Sequence, residues 1–289
     1  MIAELQTDPQ GGFNVKELCH TLEVSRSGFY DHAHKPKGAR RVQDRVLTEH
    51  LHTAFAQSRS TYGTVRLHHD LRHRGQVCGR RRLARLMRQE GLRALQKGRF
   101  IPRTTDSTHG RTVAPQLLLE RPAPTQPNQV WATDMTYIPT GEGWLFLAAE
   151  MDLFSRRILG WAVHHTMTTD LVLEALHQSV AQAPGRLTGL IHHSDQGSQY
   201  ASELFTTALR DLAVTQSMSR RGNCYDNATL ESFWATLKTE CFNNLVPPTR
   251  AKATSMIFDY IETFYNPVRR HSSLAFLAPI AFENQFTNN

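Results

Sequence analysis

Three carboxylates in this chain stand in settings that call for a chemical explanation. Asp134 lies inside the apolar run VWATDMTYI, Asp195 closes the short apolar run that leads into HSDQG, and Glu231 falls in a strongly periodic stretch further on. A carboxylate among apolar residues needs a partner or a cation, because burying an unpaired charge is prohibitively costly. Hard divalent cations take oxygen ligands, and ions held by carboxylates can serve both the attacking and the leaving oxygen of a phosphodiester displacement. The three acids together suggest a carboxylate cage of that kind. Singly, each has an ordinary reading: Asp195 before Gln-Gly as a turn residue, Glu231 as an exposed helix residue. Asp152, in MDLFSRR, is the main competitor as a ligand. It reads as structural, hydrogen-bonding at a strand end or pairing with Arg156.

The stretch around Glu231 must be a helix to present its acid usefully. Leu230, Phe233, Trp234, Leu237 and Cys241 form an i, i+3, i+4, i+7, i+11 stripe within 223–241, which is the signature of an amphipathic helix. Asn227, Glu231 and Lys238 fall on a neighbouring face. At ~1.5 Å rise per residue, Lys238 is about 10 Å along the axis from Glu231, so the acid can hold metal while the lysine grips a phosphate. Before this helix, MSRRGNC at 218–224 is polar and broken by Gly222, and offers Arg220, Arg221 and Asn223 to DNA. YNPVRRHSS at 265–273 is a second basic segment expected at the surface.

Three motifs carry a family resemblance: HSDQGSQY, then DNA-x-x-ES-F-x-x-x-LK-x-E, then YIETFYNPVRRHSSL. With VWATDMTYI they resemble the catalytic core of DDE transposases, the insertion-sequence enzymes related to retroviral integrases, and specifically the second-frame (OrfB-type) product of two-frame elements. The resemblance covers roughly 128–285. It implies an RNase H-like α/β core in which Asp134, Asp195 and Glu231 are the catalytic residues and hold two Mg²⁺ ions (Mn²⁺ can substitute), with Asp134 bridging. It implies in-line displacement without a covalent enzyme–DNA intermediate, first by water and then by the freed 3′-hydroxyl. It also implies that 218–224 is a flexible active-site loop. The partners implied are double-stranded DNA (the element's inverted-repeat ends and the target), further copies of this chain on DNA, and a first-frame partner protein. The rival enzyme is an RNase H-like nuclease or junction resolvase that cuts without joining. The rival non-enzyme is a DNA-binding regulator with a decayed core.

Composition agrees with a DNA-handling protein. The chain has 289 residues, 40% of them hydrophobic, and a formal net charge of +7, enough for a sizeable core in two or three domains. The charge is uneven. Residues 1–127 hold 22 Lys and Arg against 11 Asp and Glu, and the remainder holds 11 against 15. A basic half suits a polyanion and an acidic half suits metal. No run is long enough for a membrane span and no apolar segment follows the first methionine, so a cytoplasmic protein is expected; the resemblance implies a bacterial, nucleoid-associated one. Cys19, Cys78, Cys224 and Cys241 are widely spaced and read as thiols. The 15 histidines show no zinc-finger spacing with them.

Four segments follow. Residues 1–38 contain a helix-turn-helix outline: Val15, Leu18 and Leu22 give one face, and Ser25 caps a second helix carrying Arg26, Phe29 and Tyr30. Residues 39–100, through STYG and RRRLARLMRQEGL, resemble the helix-turn-helix-like DNA-binding module that precedes the core in these transposases. Its first helix, 40–57, is expected to turn Val46, Leu47, Leu51, Ala54 and Phe55 inward. Another ends at Gly75. A last one buries Leu83, Leu86 and Met87 while Arg81, Arg85 and Arg88 form a basic face with few acids nearby to pair it. Residues 101–127 are a proline-rich linker with a short apolar patch, QLLLE. In the core, 128–289, strands are expected at 130–138, 144–151, 157–164, 188–193 and 212–217, and helices at 169–182, 200–211 and 252–265 besides the Glu231 helix.

Overall fold

The computed structural model describes residues 14–34, 38–95, 113–119, 121–183, 187–220 and 228–287. Two short helices come first, α1 (Val15–Thr21) and α2 (Arg26–His34). Asn14 caps α1 by accepting from the Lys16 N–H, and the Ser25 hydroxyl accepts from the Gly28 N–H at 3.0 Å, as expected of a capping serine. Three helices follow: α3 (Ala39–Gln57), α4 (Thr64–His73) and α5 (Arg80–Gln89). Gly75 and Gly91 take positive φ just past the ends of α4 and α5, where a residue without Cβ turns the chain at no steric cost. Leu51, Leu67, Leu71 and Leu83 are fully buried between the three helices. Val46 is 46% exposed and not inward as expected. It lies one position off the stripe set by Leu47, Leu51 and Ala54.

The core is a five-stranded sheet in the order β3-β2-β1-β4-β5. Strands β1 (Val130–Thr140), β2 (Gly143–Asp152) and β3 (Ile158–His164) form an antiparallel meander, and β4 (Ile191–Ser194) and β5 (Thr215–Met218) add in parallel. Helix α6 (Thr169–Gln182) crosses from β3 to β4, and α7 (Glu203–Asp211) from β4 to β5. Both pack on one face, through Trp131, Leu171, Leu176 and Phe205. The other face takes α8 (Ala228–Leu237) and α9 (Arg250–Tyr260), through Leu147, Leu230, Phe233 and Ile257. This is the RNase H-like arrangement. The fourth strand is shorter than expected because Leu187 and Leu190, though buried, belong to the turn that enters it.

Helices α8 and α9 each widen into a π-helical turn, at Lys238–Phe242 and Ile261–Tyr265, and the chain ends on α10 (Pro279–Thr287). That last helix was not foreseen. Residues 113–118 lie along β5, with the Ser217 hydroxyl accepting from the Leu117 N–H at 3.0 Å and Pro115 O accepting from the Met218 N–H, so the linker's apolar patch docks on the sheet edge. Cys19, Cys78 and Cys241 are free thiols. Among the described residues no helix is long and apolar enough to cross a membrane.

The helical module is fastened to the end of the core. The Arg59 guanidinium donates to Asp259 at 2.6 Å and to Thr263 at 2.7 Å. Tyr62 donates its hydroxyl to Val268 O and accepts from the Arg270 N–H, while Arg270 pairs with Asp70 at 2.8 Å. Arg269 is 3% exposed and holds Glu240 through two bonds of 2.7 Å. YNPVRRHSS is thus at the surface only in part: Pro267, Val268, Ser272 and Ser273 are exposed, while its two arginines are engaged. Both arginines have carboxylate partners that lie far away in sequence.

Candidate active site

The sheet itself brings the first two acids together. Parallel pairing aligns Ala132 with His193, and the same register carried on sets Asp134 beside Asp195. Strand β4 stops at Ser194 while β1 runs on to Thr140, which leaves a notch at the carboxyl end of β4, where open α/β sheets place their ligands. Asp195 turns the chain there, its Oδ1 accepting from the Gly197 N–H at 2.9 Å. A Cβ at Gly197 would stand 2.9 Å from that same oxygen, so only glycine fits without displacing the carboxylate.

Helix α8 closes the notch. Asp134 and Ala132 share the sheet face that packs against α8, and the Trp234 indole N–H donates to Asp134 Oδ2 at 2.9 Å. Glu231 sits almost one turn before Trp234, exposed on the same helix. Burial pushes the Asp134 carboxyl up to about 7, and the Asp195 and Glu231 charges push the same way, against the hydrogen bonds from Trp234 and the Met135 N–H. Burial also raises the Glu231 carboxyl. On the far side of the sheet Tyr200 is fully buried, within 3.3 Å of the Thr133 hydroxyl. Its phenol is raised well above the usual value, first by burial and then by Asp134 and Asp195.

Lys238 begins the π turn at the end of α8, half-buried, with Nζ 5.0 Å from the centre of the Tyr137 ring. Burial lowers its ammonium to about 8, and the charge of Asp134 acts in the opposite sense. The lysine thus lies toward the acids along the same helix. Asp152 is fully buried elsewhere, at the end of β2. It accepts from the backbone N–H groups of Asn128, Phe154 and Ser155 and from the Ser155 hydroxyl. Arg156 turns instead to Thr229, at 2.6 Å. Of the two structural readings of Asp152, the strand-end hydrogen bonds are the one realised.

The other anticipated DNA contacts divide. Arg26, Arg81 and Arg88 are exposed on α2 and α5, and Arg220 is exposed after β5. Arg85 departs from expectation: it pairs with Asp44 at 2.6 Å, beside Arg82, which holds the other Asp44 oxygen at 2.6 Å. The acid that α5 lacks in sequence comes from α3. Arg221 and Asn227 lie outside the described residues, as does most of the 218–224 loop.

Among the described residues no three His, Cys, Asp or Glu side chains are gathered closely enough to hold a metal as they stand. The donor set nevertheless suits one. Asp134 is raised first by burial and then by the charges of Asp195 and Glu231, and a hard cation relieves both the desolvation and the repulsion. Two features escaped the sequence reading. Trp234 counted only as core. The buried Glu150–His192 pair, at 2.9 Å and fully buried, lies across the sheet in residues 42 apart, so no local pattern signals it.

Comparison with known proteins places this architecture. Residues 124–224 and 212–279 match Integrase core domains, and residues 41–100 match an HTH-like domain. The chain is 43% identical over 270 residues (93% of it, 98% of the relative) to an insertion element IS600 uncharacterized 31 kDa protein of Shigella sonnei. It is 37% identical over 278 residues, 96% of each, to the transposase InsF for insertion sequence IS3A of Escherichia coli strain K12. Among solved structures, a chain of the simian T-cell lymphotropic virus intasome in complex with PP2A regulatory subunit B56 gamma aligns with a TM-score of 0.47 at 17% identity, over 62% of this chain and 60% of that one. The protein belongs to the insertion-sequence transposases of the DDE type.

Proposed function

We propose that Asp134, Asp195 and Glu231 are the catalytic residues of this transposase and hold two divalent ions, Mg²⁺ or Mn²⁺, for cleavage and joining of DNA strands at the element's inverted-repeat ends. The observation that carries this reading is the juxtaposition at the β4 notch. Two strands in parallel register bring Asp134 and Asp195 side by side, and α8 lays Trp234 on the first and Glu231 nearby. Bound divalent ions would supply activation of the attacking hydroxyl and stabilisation of the leaving 3′-oxygen. The chain's own groups do the rest. Asp134, once ionised, is oriented by the Trp234 N–H; Asp195 is oriented by the Gly197 N–H; Lys238 offers an ammonium to a phosphate beside the acids. The exposed Arg81 and Arg88 of α5, with Arg26 and Arg220, extend a basic surface for duplex DNA. Joining as well as cutting requires a held DNA end, and the basic helices favour that over a nuclease that releases its product.

Asp134→Asn, Asp195→Asn and Glu231→Gln keep side-chain shape and remove the charge that metal needs. Each is expected to remain folded, to bind DNA about normally, and to lose strand cleavage and strand transfer by at least about a thousandfold. The assay is a labelled duplex ending in the inverted repeat, with Mg²⁺, Mn²⁺ or EDTA. Asp152→Asn is the control: it costs stability, but soluble protein keeps its chemistry. Wild-type joining by Glu231→Gln, or loss of reaction in Asp152→Asn alone, rejects the triad. Lys238→Ala is expected to weaken terminal-sequence complexes and lower joining while metal binding stays near normal; a collapse of metal affinity with unchanged DNA binding would reject its role.

A further inference from the structure

A cleft of about 440 Å³ lies between the helical module and the core. Thr229, Ser232 and Thr236 of α8 line it, and at 3.6 residues per turn these stand about 100–160° round the helix from Glu231. Helix α8 therefore shows one side to the acids and another to this cleft. Three arginines enter it from separate parts of the chain: Arg66 from α4, Arg156 from the turn after β2, and Arg269 from beyond the second π turn.

The charges in the cleft do not balance. Glu240 is the one carboxylate among its described lining residues, and Arg269 takes both of its oxygens at 2.7 Å while Tyr260 donates to it as well. Arg66 stands 4.0 Å from Glu240, at the outer limit of an ion pair. Arg156 has a neutral partner, the Thr229 hydroxyl. The charge of Asp152 also acts on Arg156, but its oxygens are taken by hydrogen bonds at the end of β2. His271, on the cleft wall, is driven down to about 2, first by burial and then by Arg269, Arg66 and Arg156, so it adds no charge and registers a positive field. Partly desolvated guanidinium groups whose nearest carboxylate is shared or at the limit of pairing carry a cost that is only partly compensated. Guanidinium forks with hydroxyl donors beside them are the usual partners of a phosphoryl group. The cleft is open at Ser272 and Ser273, both exposed, so the anion it takes can be part of a longer chain.

We propose that this cleft binds a backbone phosphate of the DNA on which the enzyme acts, held by Arg66, Arg156 and the α8 hydroxyls on the side of α8 turned away from the acids. The proposal rests on the reading of the chain as a DNA transposase and deepens it. One phosphodiester reacts on one flank of α8 while another anchors the opposite flank. The anchor is complete only when α4 of the helical module, which brings Arg66, is docked.

The test uses the full chain and a duplex carrying the inverted-repeat end, with affinity measured across salt concentrations. Arg66→Gln is expected to reduce the slope of log K against log salt by about one, the signature of one lost phosphate contact. Ser273→Asp places a carboxylate at the exposed mouth and is expected to weaken binding at least about tenfold at low salt. Arg66 is half-buried, so if its variant melts early, Ser273→Asp carries the test alone. Wild-type slopes and affinities in the folded variants overturn the cleft assignment and leave the transposase reading intact. A wild-type chain that binds no duplex overturns both. If inorganic phosphate raises the melting temperature of wild type but not of Arg66→Gln while the DNA slopes coincide, the cleft takes a free anion and the proposal falls.

Discussion

The indole N–H of Trp234 reaches Asp134 Oδ2 at 2.9 Å, joining the middle of the first strand to the helix that carries Glu231 across 100 residues of sequence. The bond spends the indole's only polar group and fixes one oxygen of the carboxylate, so the other oxygen has a defined direction. Partners of this kind are worth about 10–100-fold in metal affinity or activity where they have been removed. Trp234→Phe keeps a ring in the core and deletes the donor. It is expected to lower joining by about tenfold and to raise the Mg²⁺ concentration needed for half-maximal rate. Titration of strand transfer against Mg²⁺ measures both, and an unchanged curve would show that the bond only packs the helix.

The Asp134 carboxyl, held at about 7 against 3.8 for a free aspartate, makes the metal-free fold sensitive to pH. The folded state holds this proton more tightly than the unfolded chain does, so the stabilisation is full below the unfolded value and is lost as pH rises through about 7. Asp134→Asn removes the penalty. In EDTA its stability relative to wild type is expected to grow between pH 5 and pH 8 by on the order of 2 kcal/mol, a figure reduced because the residue is partly open to solvent. Added Mg²⁺ should close the gap by stabilising wild type alone. Denaturant titrations at the two pH values decide it; a constant gap would mean that Asp134 is ionised throughout.

Neighbouring arginines on α5 are expected to behave differently. Arg81 and Arg88 are exposed, whereas Arg85 shares Asp44 with Arg82. Arg81→Gln and Arg88→Gln should each lower the salt slope of duplex binding by about one and leave the melting temperature in place. Arg85→Gln should lower the melting temperature and leave the slope alone. An equal slope change in all three would return Arg85 to the DNA-facing surface.

Much of this was legible in the sequence where the information is local. The Leu230–Phe233–Trp234–Leu237 stripe gave α8, the apolar run around Asp134 gave β1, and helix 169–182 falls where its apolar spacing puts it. Asp134, Asp195 and Glu231 stood out because each sits in a segment whose form could be read. What stayed hidden was pairing between distant segments. Asp44 reaching Arg85, Glu240 reaching Arg269 and Glu150 reaching His192 are set by how helices and strands stack, and periodicity within one segment carries no trace of them. The indole N–H of Trp234 was hidden for a related reason. A tryptophan on an apolar stripe looks like bulk, and only the position of its edge against β1 shows that it also donates.

The fastening of Arg59, Tyr62 and Asp70 to Asp259, Val268 and Arg270 spans 200–208 positions of the chain. Contacts so distant in sequence close late, because chain entropy must be spent before they contribute. During synthesis the three helices near the start must wait, with part of their shared apolar surface uncovered, until nearly the whole polypeptide has left the ribosome. A product ended early, even one with every acid in place, would leave its first helices without their seat.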